Sequence, residues 1–326
     1  MTTAAAATPL ARRAPDPSHF EPVRCSTCGA GDATFFIEAE DDLTGRPGRF
    51  TFVRCSACGL VYQSPRLTLD HVRTYYDDGY IAHRRRNQWG WLSPLFNAAM
   101  DSLDRAKVRL VSRYVPLDRS SAVLDVGCGA GSFLARVRDR LGSTVVGVDF
   151  VDLSSSPTLR GIEFHHGLAH EQEIGRDRFD LITMWHFLEH DYDPMRSLAS
   201  AAAALKAEGR LIIEVPRLDS VTFRMFKDRW PGLQAPQHTA VYDKRALLAL
   251  VERAGFAVVA HLPYGAFPPY FYVFCGTAFK ILKGRGLNLQ KGIYAYFAGQ
   301  IVLLPVLPLL PRLNFAMQTV VCRRAR

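Results

Sequence analysis

Three groups of residues in this chain have types and spacings that could do chemistry. The first is VLDVGCGAGSFL, Val123 to Leu134, in which an apolar run enters Gly127, Gly129 and Gly131. Glycines at alternate positions let a backbone turn tightly and approach a bound nucleoside with no Cβ in the way. Asp125 stands at the end of that run, where a carboxylate could meet a ligand's cationic amino group. Asp149 closes the next apolar run, where an acid can accept both hydroxyls of a ribose. The second group is two C-x-x-C-G units, Cys25 with Cys28 and Cys55 with Cys58. Each turns tightly enough for two thiolates to converge. Four thiolates make a closed tetrahedral zinc site with no open position for catalysis; redox cysteines are the alternative. The third group ends the run FDLITMWHFLEH, with His186, Glu189 and His190, and continues with His238 in QAPQHTAVY. An imidazole titrates near neutral pH and can serve as general base or metal ligand. For Glu189 and His190, helix capping and interface hydrogen bonds are the structural alternative.

Positioning such groups takes a sheet. Residues 120–262 alternate apolar strands (AVLDVG, TVVGVDF, GIEFHH, FDLITMWH, GRLIIEVP) with helical patterns, one helix starting near Ser132. That alternation implies a doubly wound parallel sheet with helices on both faces. Residues 1–22, rich in Ala, Thr, Pro and Arg, read as a disordered tail. Residues 23–66 form a cysteine module with strands around Ala33–Ile37 and Arg49–Val53, expected to fold around its own metal. Residues 67–119 read as a helical connector, with a helix at Ala99–Tyr114 and with Tyr75, Tyr76 and Tyr80 placed as a lid or as interdomain packing. Residues 263–326 are apolar, aromatic and proline-rich.

DVGCGAG, VGVDF, FDLITMWHFLEH and LKAEGRLIIEVP resemble, in that order, successive motifs of class I S-adenosylmethionine (SAM) methyltransferases, across most of 120–262. CSACGLVYQSPRLTLDHVRTYYDDGY resembles the N-terminal region of bacterial zinc-ribbon methyltransferases, similar to deoxysugar, polysaccharide and secondary-metabolite tailoring enzymes. The resemblance implies an α/β fold: a Rossmann-like class I methyltransferase sheet with helices on both faces, a small N-terminal zinc ribbon and an apolar helical C-terminus. By it, Asp125 and Gly127 hold the methionine portion of SAM in the loop completed by Gly129 and Gly131. Asp149 holds the ribose, Phe150 packs on the adenine, and Leu168 meets the adenine edge in place of the acidic residue frequent there. The acceptor then lies between His186–His190 and the His238 loop, with Trp230 packing nearby. FLEH followed by a later histidine also resembles the E-x-x-E-H plus His metal set of terminal-RNA 2′-O-methyltransferases and ubiquinone-pathway O-methyltransferases. Here His186 replaces the first Glu, a departure that weakens the case for magnesium; by this resemblance magnesium stands beside zinc as a candidate metal. The implied function is methyl transfer to an oxygen or carbon of a small-molecule, glycosyl or lipid-linked acceptor. An RNA acceptor gripped by the ribbon, and a non-catalytic SAM-binding protein on membranes, are the alternatives.

Composition narrows these choices. The chain has 326 residues, 48% hydrophobic and 22% charged, enough to bury a sizeable core. A formal charge of +9 invites anionic company, but arginines are spread over 84–86, 136–140 and the C-terminal tail rather than along one track. That pattern, and the lack of an N-P-P-Y-type motif for a base amine, argues against nucleic acid. Seven cysteines, an odd number dominated by the two pairs, suit a reducing, cytoplasmic setting. The first twenty residues contain no continuous apolar stretch of a secretory signal. Ile293 to Pro311 is apolar, yet Pro305, Pro308 and Pro311 interrupt any straight spanning helix. With Lys280, Lys283, Arg285 and Arg312 alongside, residues 267–311 suit monotopic contact with the anionic inner face of a membrane; packing on the catalytic domain or a homodimer interface is the alternative.

Overall fold

In the computed structural model, which describes residues 14–76, 93–287, 289–303, 305 and 314–325, the cysteine pairs sit at the ends of a small antiparallel sheet. Strands β2 (Ala33–Glu40), β3 (Arg49–Cys55) and β4 (Val61–Gln63) pair in order. Phe50 and Phe52 alternate inward along β3 and are fully buried. β1 (Phe20–Glu21) pairs antiparallel with β5 (Arg66–Leu67), so the expected disordered tail gives way to structure before residue 22. Helices α1 (Leu69–Arg73) and α2 (Ser93–Val111) follow. Tyr80 and Arg84 to Arg86 lie outside the described residues.

The strands expected from the apolar runs form one sheet. They are β6 (Ala122–Val126), β7 (Thr144–Asp149), β8 (Glu163–His166), β9 (Phe179–Trp185) and β10 (Leu205–Pro216). Between them run α3 (Ser132–Leu141) and α4 (Pro194–Ala204); α5 (Val221–Phe226), β11 (Ala240–Val241), α6 (Lys244–Arg253) and β12 (Phe256–Leu262) come after. Helix periodicity sets the packing. On α3, Phe133, Leu134 and Val137 face the sheet. On α6, Asp243 caps the first turn through Ala246 N at 2.8 Å while Leu247, Leu250 and Val251 are buried. The C-terminal segment is helical as expected in α7 (Pro269–Leu282) and α8 (Leu289–Leu303). It ends, however, in β13 (Met317–Arg324), which lies between β12 and β10, antiparallel to both. The sheet order is therefore β12-β13-β10-β9-β6-β7-β8. The methyltransferase-like unit does not close at residue 262; its last strand, the buried run MQTVVC, comes from beyond the helices. Among the described residues, no helix is long and apolar enough to cross a membrane.

The cysteine module is not physically separate either. β11, far along the chain from the cysteine pairs, joins their sheet beside β4, and Cys25, Cys55, Leu60 and Tyr62 share one core with Leu188, Tyr242 and Leu247.

Candidate functional site

The loop after β6 is held by its own backbone. The N–H groups of Gly127 and Cys128 donate to the carbonyl of Val148 at 2.8 and 3.1 Å. Gly127 has φ +74° and Gly131 φ +79°. A Cβ would stand 2.8 Å from Phe187 at the first and 2.4 Å from Leu159 at the second, so both positions require glycine. Asp149, at the end of β7, accepts Gly129 N–H at 2.8 Å on one oxygen and Val151 N–H at 3.0 Å on the other. The carboxylate expected at the ribose thus also fixes the shape of the glycine loop.

A cavity of about 1030 Å³ opens here, walled by Gly127, Gly129, Asp149, Phe150 and Leu168. Two members of the expected cofactor set stand behind that wall. Gly131 begins α3 and packs on Leu159. Asp125 is buried and accepts the Thr183 hydroxyl at 2.6 Å, and burial pushes its carboxyl up to about 7. Cys128 is a loop wall residue whose thiol burial pushes well above its usual range, which leaves no nucleophilic thiolate there.

Across the same cavity stand three of the four acceptor-side candidates, His186, His190 and His238, while Glu189 is fully buried behind them. His186 follows β9 with a left-handed backbone, φ +53°. Its ring lies between two buried carboxylates, Nδ1 3.4 Å from Glu189 Oε1 and Nε2 3.3 Å from Glu214 Oε1. Burial works against a charged imidazole, but the two carboxylates outweigh it and push the pKa up to about 9. Both distances are those of an ion pair rather than of aligned hydrogen bonds, and both Glu189 oxygens lack a hydrogen-bond partner. His190 Nδ1 lies 3.1 Å from the Gln237 carbonyl and 2.9 Å from the Tyr76 hydroxyl. His238 Nδ1 lies 2.8 Å from the Gly232 carbonyl. A carbonyl can only accept, so the proton of each ring sits on Nδ1 and the Nε2 lone pair is left free. Burial drives both imidazoles down to about 3, the neighbouring His238 adding to the effect at His190. The two rings meet edge to face at 4.4 Å, and ligand atoms of Glu189, His190 and His238 lie within 4.8 Å of one another.

Three features escaped the sequence reading. Glu214 is one acid in the otherwise apolar run RLIIEVP, and a charge inside a buried strand was the available signal. Gln63, on β4, donates its amide to the carbonyls of Pro236 and His238 at 3.0 and 2.6 Å, so the cysteine module positions the His238 loop. Phe267, Phe271, Phe274 and Tyr296 complete the cavity from α7, its entry loop and α8. Of the tyrosines, Tyr76 lines the cavity edge-on to Phe150 at 4.9 Å, whereas Tyr75 is buried in the core below. Trp230 is buried in the cavity wall, its indole N–H on Thr222 at 3.0 Å.

On the ribbon side of the shared core the four cysteine sulfurs converge. Cys25 and Cys58 are 3.4 Å apart, Cys28 and Cys55 3.5 Å. A tetrahedron with zinc–sulfur bonds of about 2.3 Å has edges of about 3.8 Å, so the quartet needs only a slight expansion to hold the ion. Each knuckle is closed by a glycine N–H, Gly29 to the Cys25 carbonyl at 2.8 Å and Gly59 to the Cys55 carbonyl at 3.0 Å.

A mostly parallel sheet with a glycine loop, an acid at the next strand end and an acceptor edge beyond the fourth strand define a Rossmann-like class I methyltransferase fold. The chain belongs to the methyltransferase domain family, which it matches over residues 97–261. It is 27% identical over 136 residues to the ubiquinone biosynthesis O-methyltransferase of Hydrogenovibrio crunogenus, covering 38% of this chain and 53% of the relative. It is 33% identical over 101 residues to the enzyme of that name from Bradyrhizobium diazoefficiens, covering 28% and 38%. The chain thus spans about half, or less, of the curated relatives it matches. Phosphoethanolamine N-methyltransferase 2 of Haemonchus contortus, solved with SAM, shares the fold with a TM-score of 0.51 at 16% identity, covering 82% of this chain and 63% of that one.

Proposed function

We propose that the protein is a SAM-dependent methyltransferase that O-methylates a small-molecule acceptor, glycosyl and lipid-linked hydroxyls included. The observation that carries this reading is one cavity bounded by the Asp149 loop on one side and by two neutral imidazoles with free Nε2 atoms on the other. When bound, SAM supplies an electrophilic methyl group on a sulfonium. The protein's part is to orient and to accept a proton. Gly127, Gly129 and Asp149 seat the nucleoside, and Phe150 packs on the base with Leu168 at its edge. His238, its Nδ1 proton committed to Gly232, presents Nε2 as the base for the acceptor hydroxyl. The similarity to O-methyltransferases supports oxygen over carbon. Calorimetry with S-adenosylhomocysteine, then transfer from methyl-labelled SAM to a panel of hydroxylated aromatic and glycosyl acceptors, tests it. Absence of nucleoside binding would overturn it.

A second reading places a divalent cation, magnesium for instance, on Glu189, His190 and His238. The Glu189 oxygens, which accept no hydrogen bond, favour it, because a buried carboxylate is costly unless something cationic approaches. His186, with its charge, is the rival occupant of that role.

For Cys25, Cys28, Cys55 and Cys58 we propose structural zinc, with one equivalent per chain by metal analysis as the test. Exposed Ile281, Tyr294, Ile301 and Val302 support peripheral contact of the α7–α8 region with the inner face of a membrane.

A further inference from the structure

The cavity is larger than a nucleoside site needs. Pockets for drug-sized ligands span about 300–1,000 Å³, and this one, at about 1030 Å³, is lined not only by the glycine loop, His186 and His190 but also by residues of α2, α7 and α8, its α2–α7–α8 chamber. That chamber is walled by Phe96 and Leu103 of α2, Phe271 and Phe274 of α7, and Tyr296 and Phe297 of α8. A chain of ring contacts leads into it from the reaction edge: His186 to Phe267 at 4.9 Å, Phe267 to Phe271 at 5.3 Å, Phe271 to Tyr296 at 6.0 Å, and Tyr296 to Phe274 at 5.5 Å. The wall is firmly built. A Cβ on Gly276 would stand 2.4 Å from Phe226, so α7 lies directly on α5. Tyr270 and Tyr296 rings meet at 5.3 Å between α7 and α8. Three acids that line the cavity, Glu40, Asp42 and Asp228, pair with Arg229 at 2.9, 2.5 and 3.5 Å. α7 and α8 also lie outside residues 97–261, so this wall is an addition to the matched domain.

Resting on the methyltransferase reading, we infer that the acceptor is an amphiphile: its hydroxyl-bearing head sits at His238 and His190, and an apolar chain runs along the aromatic rings into the α2–α7–α8 chamber. A glycosyl or other wholly polar acceptor would leave that aromatic surface facing water, whereas an alkyl or prenyl chain removes it from water.

The test uses the full chain saturated with S-adenosylhomocysteine and titrated with ethyl-, hexyl- and dodecylphenol in a calorimeter. Affinity should rise by about three- to fourfold per methylene until the chamber is full, and the gain should plateau there. Phe274→Glu should weaken dodecylphenol at least about tenfold while ethylphenol and S-adenosylhomocysteine bind as before. If that variant melts early, the half-buried Phe297→Glu serves in its place. Chain-length independence in the wild type, or an unchanged chain-length gain in a folded variant, would overturn the inference. Loss of S-adenosylhomocysteine binding in the wild type would instead overturn the methyltransferase reading, and the two failures are read from separate titrations.

Discussion

His186 Nε2 lies 3.3 Å from Glu214 Oε1, and the same carboxylate accepts the backbone N–H groups of Ala266 and Phe267 at 2.6 and 3.1 Å. One buried side chain therefore joins the histidine after the fourth strand to the segment that leads into α7. Burial alone would raise the Glu214 pKa; His186 and the Ala266 N–H overcome it and hold the carboxyl below its usual range. Gly265 completes the arrangement, since a Cβ there would meet the Glu214 carboxyl at 2.4 Å.

Glu214→Ala should therefore loosen the entry to α7 as well as strand His186. Removing an ionised acceptor of several hydrogen bonds costs about 1.5–3 kcal/mol or more, read as a lower melting temperature. S-adenosylhomocysteine affinity should stay near wild type, because Glu214 does not wall the nucleoside side. Glu214→Gln, which keeps an oxygen for the backbone donors, should recover part of the loss. Equal damage from Gln and Ala would show that charge, rather than the backbone bonds, is what matters.

The fold was largely legible because a parallel sheet covered on both faces writes its strands as apolar runs, and β6, β7, β9 and β10 all came through that way. β13 did not, because VVC follows a proline-rich apolar tract and its partners β10 and β12 lie far back in the chain. At the site, Gly127 and Asp149 were readable from spacing. Gln63 was not: its role depends on β4 lying beside the Pro236–His238 backbone, a tertiary accident of the ribbon's docking that no local pattern encodes.

That docking changes the expectation for the metal. Read alone, residues 23–66 should unfold on losing zinc and leave the nucleoside site intact. With β11 paired to β4 and Cys25 and Cys55 inside the shared core, Cys55→Ser or strong chelation should instead lower one cooperative transition of the whole chain. Two separated calorimetric transitions, the upper one unchanged, would argue for independent modules after all.

Asp149→Ala should weaken S-adenosylhomocysteine by at least about tenfold, corresponding to about 1–3 kcal/mol for a charged hydrogen-bond partner. The loss should exceed that of the ribose contact alone, because Gly129 N–H and Val151 N–H also lose their acceptor. Unchanged affinity by calorimetry would remove Asp149 from the site.

Asp125 gives a pH signature. Burial raises its folded pKa to about 7 from 3.8, so the folded state keeps a proton that the unfolded chain has released. Stability of the free protein is then fully present below about pH 4 as far as this group is concerned, and it falls as pH rises towards 7. Asp125→Asn, which keeps an acceptor for the Thr183 hydroxyl, should flatten this decline and raise the neutral-pH melting midpoint by at least about 2–4 °C. Parallel melting profiles for wild type and variant between pH 4 and 8 would contradict it.

His238 carries the most mechanistic weight. Its Nδ1 is engaged by the Gly232 carbonyl and burial favours the neutral ring, so Nε2 is the ring's acceptor in the free protein, and its imidazole lines the same cavity as Asp149. If Nε2 takes the acceptor's proton, His238→Ala should lower turnover by about a hundredfold or more with S-adenosylhomocysteine affinity close to wild type. A cation held by Glu189, His190 and His238 gives another pattern: chelators abolish transfer, magnesium or manganese restores it, and Glu189→Ala is as damaging as His238→Ala. A purely structural role gives a third, a lower melting temperature with turnover per folded molecule preserved. Gln63→Ala separates position from chemistry, because it frees the loop while leaving the imidazole in place; it should reduce turnover less than His238→Ala and by an amount that tracks the loosening of the loop. Single-turnover transfer from methyl-labelled SAM, run for each variant with and without chelator, distinguishes the outcomes, and wild-type rates in His238→Ala would take this histidine out of the reaction.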